Sequence, residues 1–161
     1  MLPAPAYYTI LALCWGYALL RGGPPERIGA SIIGIGSILS ALALSGSTVR
    51  FGSVEVGVFY VDVAALLGFL ALALYAERYW PLWVTALQAI GTAGHAVKYV
   101  DSHVVRLIYA FALALWAYPM LFLIVLGTWR HQKRVAQFGA DRSWSSFSGR
   151  LGLKPGPGPT G

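Results

Sequence analysis

The chain has 161 residues, 57% hydrophobic and only 11% charged, against roughly a quarter charged in ordinary soluble domains, which places it in the membrane class. Once residues 131–161 are set aside nearly everything left is apolar, so a separate soluble catalytic domain is excluded. The net charge of +6 does not describe a nucleic-acid surface, because six of the twelve Lys and Arg follow the last apolar run instead of lining a folded face.

A spanning helix needs about 20 mainly apolar residues, and five stretches approach or reach that: 5–20, 28–45, 56–76, 80–97 and 104–129. The first, with Tyr7 and Tyr8 at its start and the single cysteine, Cys14, inside it, has no Lys or Arg before the apolar run and no small-x-small site ahead of Arg21. It reads as a retained span and not as a secretory signal. It is also the shortest, which leaves a four-span bundle as the competing arrangement. The lone cysteine has no intramolecular partner, so no internal disulfide is expected.

Arg21-Gly-Gly-Pro-Pro-Glu-Arg27 reads as the first break. The second span then places small residues four apart, Ala30 with Gly34 and Gly36 with Ser40. Lipid supplies no hydrophobic drive for helix association, so such residues matter because they allow close backbone approach. The fourth span repeats the pattern with Gly91 and Gly94, and these two spans are therefore expected to be the interior helices.

The third span holds one acid, Asp62, and ends in Tyr75, Glu77, Arg78 and Tyr79. The fourth presents Gln88, Thr92, His95 and Lys98 on one helical face. Counting from a hairpin centred on Arg78, Asp62 and His95 stand about 25 Å from the turn at 1.5 Å per residue. The following hairpin brings Arg106 of the fifth span to the same depth. The expectation is a polar layer of Asp62, Gln88, Thr92, His95, Lys98 and Arg106 near one membrane interface. Its plainer reading is an ion-paired register lock, and its functional reading is a shallow site for an anion, a proton or a polar headgroup.

Pro119 falls inside the fifth span, where a kink is expected. Arg130, Lys133 and Arg134 follow as a cytoplasmic anchor, and residues 131–161 read as a basic, largely flexible tail that rests on headgroups or docks on a partner. With five spans, Arg21, Arg27, Arg78 and the six tail cations share one side, and Arg50, Lys98 and Arg106 the other. Nine against three gives an N-out, C-in topology by the positive-inside rule.

No thiol pair, metal-spaced His and acid set, nucleophile elbow or phosphate loop is present. A bis-histidine haem site needs two imidazoles facing each other from different helices. Only His95 lies well inside a span, so haem is not expected from this chain alone. Val61-Asp-Val-Ala-Ala-Leu-Leu, Tyr79-Trp-Pro-Leu-Trp83 and Gly127-Thr-Trp-Arg-His131 resemble small uncharacterised inner-membrane proteins of proteobacteria, and the resemblance implies a helical membrane fold.

The expectation is thus an all-α, polytopic transmembrane bundle of the bacterial inner membrane. Its function is expected to be that of a non-catalytic subunit or scaffold, associated with itself or with other membrane subunits, for example in an electron-transfer complex. The alternative is a small homo-oligomeric transporter or channel using the polar layer.

Overall fold

The computed structural model describes residues 4–45, 53–100 and 106–139, with Asp141 and Trp144; side chains are described within 5–43, 56–94 and 117–139 and at those two positions. Five helices and no strands are formed among them: α1 (Ala4–Arg21), α2 (Pro24–Ser45), α3 (Ser53–Tyr75), α4 (Trp80–Val100) and α5 (Arg106–Phe138). Pro24–Ala43 and Val56–Tyr75 are long and apolar enough to cross a membrane. Only 22% and 11% of those two stretches are buried within the bundle. A soluble protein's core helix would be mostly buried, so the pair suggests membrane association.

Two boundaries differ from the sequence expectation. α2 begins at Pro24, four residues before the expected start, because Pro24 and Pro25 occupy helical positions whose N–H groups need no partner. α5 runs on to Phe138, so the first part of the expected flexible tail is helical. It ends at Gly139, whose φ of 73° is the left-handed conformation that favours glycine, with its N–H donating to the Val135 carbonyl at 2.9 Å. The helix is continuous through Pro119.

The helices form a ring in chain order, α1 against α2, α2 against α3, α3 against α4, α4 against α5, and α5 back against α1. α2 also packs on α5 across the middle. Among the described residues α2 and α5 are therefore the helices with three closely packed neighbours. On α4, a Cβ on Gly94 would meet nothing within 4 Å among the described residues. On α2, by contrast, a Cβ on Gly34 would meet the Trp15 indole at 2.9 Å, and Ala30 is buried. A Cβ on Gly36 would meet Val61 at an ordinary 3.8 Å.

Cross-contacts fix direction. Ala43 lies by Gly57, Gly36 by Val61, Ile32 by Gly68 and Gly29 by Leu72, the descending pairing of an antiparallel hairpin. α1 and α5 run parallel, since Tyr7 stacks edge-on against Tyr118 at 5.8 Å and Tyr17 reaches Gln132 at 3.5 Å. One end of the bundle, called here the tail end, therefore gathers the α1–α2 turn, the α3–α4 connector and the end of α5. The apolar core lies mostly toward it: Ala30 and Ile33, Phe69 and Leu72, Trp80 and Val84, with Met120, Leu121 and Ile124 closing from α5.

Candidate functional site

At the tail end the ring closes around Trp80, the first residue of α4. A Cβ at Gly29 would stand 2.5 Å from its Cη2, and one at Gly127 would stand 2.8 Å from its Cδ1. Real Cβ atoms do not approach so closely, so these glycines of α2 and α5 form a slot that only a bare backbone leaves open. The slot aims the indole N–H at Glu26, to which it donates at 3.1 Å.

Glu26 lies in the first turn of α2, where a negative charge is favoured by the helix dipole. It is fully buried. Among the described residues Thr128 is the other polar side chain so enclosed, and its hydroxyl donates to the Ile124 carbonyl of its own helix. A buried carboxylate needs a counter-charge. Arg78, from the α3–α4 connector, brings its Nε to 3.6 Å from Glu26 Oε1, an ion-pair separation too long for a hydrogen bond. Among the described residues Glu26 Oε2 and Arg78 Nε have no hydrogen-bonding partner.

Arg78 continues the network outward. Its Nη1 donates to the Glu77 carbonyl at 3.1 Å and its Nη2 to Asp141 Oδ2 at 2.5 Å. Asp141 also meets His131 Nδ1 at 2.6 Å and accepts from Arg134 Nε at 2.9 Å. Gly139 turns the chain back so that Asp141 can reach this position, and Trp144 forms an antiparallel bridge with Ala76 beside it. Burial alone would raise the Asp141 pKa. Hydrogen bonds from Arg134 and His131, and the charges of Arg78 and Arg134, outweigh that and hold the carboxyl below its ordinary value. The result is a clasp of two acids, two guanidiniums and an imidazole, joining α2, the α3–α4 connector, α5 and the tail.

Of this clasp, Arg134 is legible in the sequence as an anchor and Arg78 as a hairpin centre and cytoplasmic-side cation. The other anchors, Arg130 and Lys133, are exposed on the same end, with Lys133 Nζ 4.0 Å over the Trp129 ring. Glu26 was passed over because it sits in a Pro- and Gly-rich run that reads as a loop. An acid two residues after a helix-starting proline was the available signal.

Of the expected polar layer, the described side chains are Asp62, Gln88 and Thr92. Gln88 Nε2 donates to the backbone and side-chain oxygens of Asp62, both at 3.3 Å, and the Thr92 hydroxyl donates to the Gln88 carbonyl at 2.8 Å. Asp62 thus meets Gln88, nearer the turn than His95. The pair is centred on Tyr75 and not on Arg78, because residues 76–79 form a non-helical connector in place of a tight turn. The side chains of His95, Lys98 and Arg106 lie outside the described residues. Beside the Asp62–Gln88 contact is a cavity of about 260 Å³, lined also by Tyr7, Ser37, Ser40 and Gly91. Tyr7 and Ser37 share a hydrogen bond of 3.1 Å on its wall. Among the described residues no three His, Cys, Asp or Glu side chains gather as a metal site requires.

Comparison with protein-family models, with curated proteins and with solved structures finds no match to this chain.

Proposed function

We propose that the chain is a five-span protein of a bacterial inner membrane, N-out and C-in, serving as a non-catalytic subunit or scaffold within a larger membrane complex. The observation that carries this reading is the distribution of polarity. Large apolar side chains are exposed on every helix, including Leu13, Ile35, Leu67, Trp83 and Phe122, while the fully buried charge sits at one end. Water would penalise such a surface, and lipid accepts it. The exposed cations Arg21, Arg27, Arg130 and Lys133 share that end with the clasp, as the cytoplasmic side of a positive-inside protein would.

The scaffold reading is favoured over a channel because the tail end is plugged. Trp80 fills the centre, and the Glu26–Arg78–Asp141 network ties the surrounding elements together. Connectors of two and four residues there leave no room for a catalytic domain. Native mass spectrometry after mild detergent extraction from the host tests this: a stoichiometric second polypeptide is expected. A monomer or homo-oligomer that carries no other subunit would contradict it.

A second reading is favoured by the cavity beside Asp62. A small polar or cationic solute could enter from the outer half, and transport would then require the clasp to open. Uptake that is lost in Asp62→Asn, in a homo-oligomer, would select this reading instead.

A further inference from the structure

A second concavity lies on the outside of the ring, between α2 and α3. It has a volume of about 580 Å³ and runs from Arg27 past Ile28, Ile32 and Ile35 to Leu39 on α2, with Val61 on α3. Ile32, which lines the groove, also packs toward Gly68 of α3, where a Cβ would stand 3.1 Å from the Ile32 side chain, so glycine lets the two helices approach. Apart from Arg27, Ser31 and Tyr60, its lining is apolar.

We propose that this groove holds one acyl chain of an anionic phospholipid whose phosphate pairs with Arg27; the inference rests on the membrane-spanning reading above. Three observations converge on that occupant. Arg27 to Leu39 is twelve residues of helix, about 18 Å at 1.5 Å per residue, close to one leaflet of a hydrocarbon core about 30 Å thick. The single cation stands at the tail end of the groove, where a headgroup would lie, on the same end as the exposed Arg21, Arg130 and Lys133. Its Nε is held by the Gly22 carbonyl at 2.9 Å, which leaves the terminal amino pair as the edge that a phosphate takes in bidentate fashion. A long apolar trough with one fixed guanidinium at its interfacial end is complementary to an anionic amphiphile.

The test uses the full chain reconstituted in nanodiscs containing equal phosphatidylglycerol and phosphatidylcholine, then released for native mass spectrometry. One phosphatidylglycerol retained in about fivefold preference is expected, the effect of roughly one cation beside an anionic headgroup. Arg27→Ala should remove the preference while a lipid is still retained. Ala64→Trp, which fills the groove from α3, should lose retention of both lipids. Inorganic phosphate and glycerol phosphate should not displace the lipid. Equal retention of both lipids by the unaltered chain, or a preference unchanged in Arg27→Ala, would overturn the proposal. So would displacement by inorganic phosphate, which would assign Arg27 to a free anion, or a dimer abolished by Ala64→Trp, which would assign the groove to a second copy. Release of the chain from membranes by alkaline carbonate would overturn the membrane-spanning reading itself, and is thereby distinct from failure of the groove alone.

Discussion

Trp80 shows how single positions decide the character of the tail end. Its indole is rigid and held on both sides, so neither neighbour can yield when Gly29 or Gly127 gains a methyl group. Gly127→Ala is therefore expected to cost about 1–3 kcal/mol, the range for overpacking a filled core, read as a lower thermal midpoint in detergent. Trp80→Phe keeps the apolar bulk but removes the indole donor to Glu26. That leaves a buried acceptor without its hydrogen bond and should cost about 1.5–3 kcal/mol, as for hydrogen bonds to charged groups. If Trp80→Phe melts with the unaltered protein, the Glu26 contact contributes nothing.

Asp141 carries the pH dependence. Its pKa is lowered in the folded chain, so its stabilising contribution is present above the ordinary carboxylate value and is lost as pH falls through the depressed one. The tail should thus stay docked at neutral and mildly acidic pH and release only in strong acid. Spin labels on Tyr79→Cys and Trp144→Cys, with Cys14→Ser, would report a constant distance down to the carboxylate range. Asp141→Asn should lengthen that distance already at neutral pH. A distance that changes already near neutral pH in the chain with Asp141 unaltered would contradict this.

At the scale of elements, what could be read from the sequence and what could not have separate physical causes. Hydrophobic runs long enough for helices are a local property, and all five helices fall on the expected stretches. Their ends depend on chemistry that a window of hydropathy does not register: the proline pair that starts α2, and the glycine that ends α5 well beyond Trp129. The identity of the interior helices was not legible, because small residues permit close approach without selecting the partner. Gly34 lies against Trp15, whereas a Cβ on Gly94 would meet nothing within 4 Å among the described residues. The Asp62–Gln88 contact was legible as two polar residues on facing helices, but its register was not, since that depends on the shape of residues 76–79.

The clasp was the least legible feature, as it joins residues from four separate parts of the chain. Its tail segment makes a direct prediction. Ala76 and Trp144 are paired as antiparallel neighbours, where Cα atoms lie about 4.5–5.5 Å apart, a separation a disulfide can close. Ala76→Cys with Trp144→Cys, in a Cys14→Ser background, should form an intramolecular disulfide under mild oxidation. Failure to cross-link while both thiols remain reactive would place the tail elsewhere.

For the whole molecule, the ring of five helices has an apolar exterior, a core weighted toward the tail end, a polar cavity on the other side of that core, and one end fastened by charge. Glu26→Ala removes the acceptor of the buried Trp80 N–H and one of the two acids on Arg78, while Asp141 remains to pair with that guanidinium, whereas Asp62 is only part-buried against Gln88. Glu26→Ala is accordingly expected to reduce the folded yield more than Asp62→Asn. The cavity and the outer groove would then be surfaces presented by a rigid frame.

The claim beneath all of this is that the chain crosses the membrane with the clasp on the cytoplasmic side and the start of α1 on the other. Single cysteines at the exposed positions Pro5, Tyr79 and Phe138, each in the Cys14→Ser background, can be labelled in intact cells with a membrane-impermeant maleimide. Pro5→Cys is expected to be labelled from outside, and Tyr79→Cys and Phe138→Cys only after the membrane is opened. Labelling of Tyr79→Cys or Phe138→Cys in intact cells, or protection of Pro5→Cys alongside them, would contradict this topology.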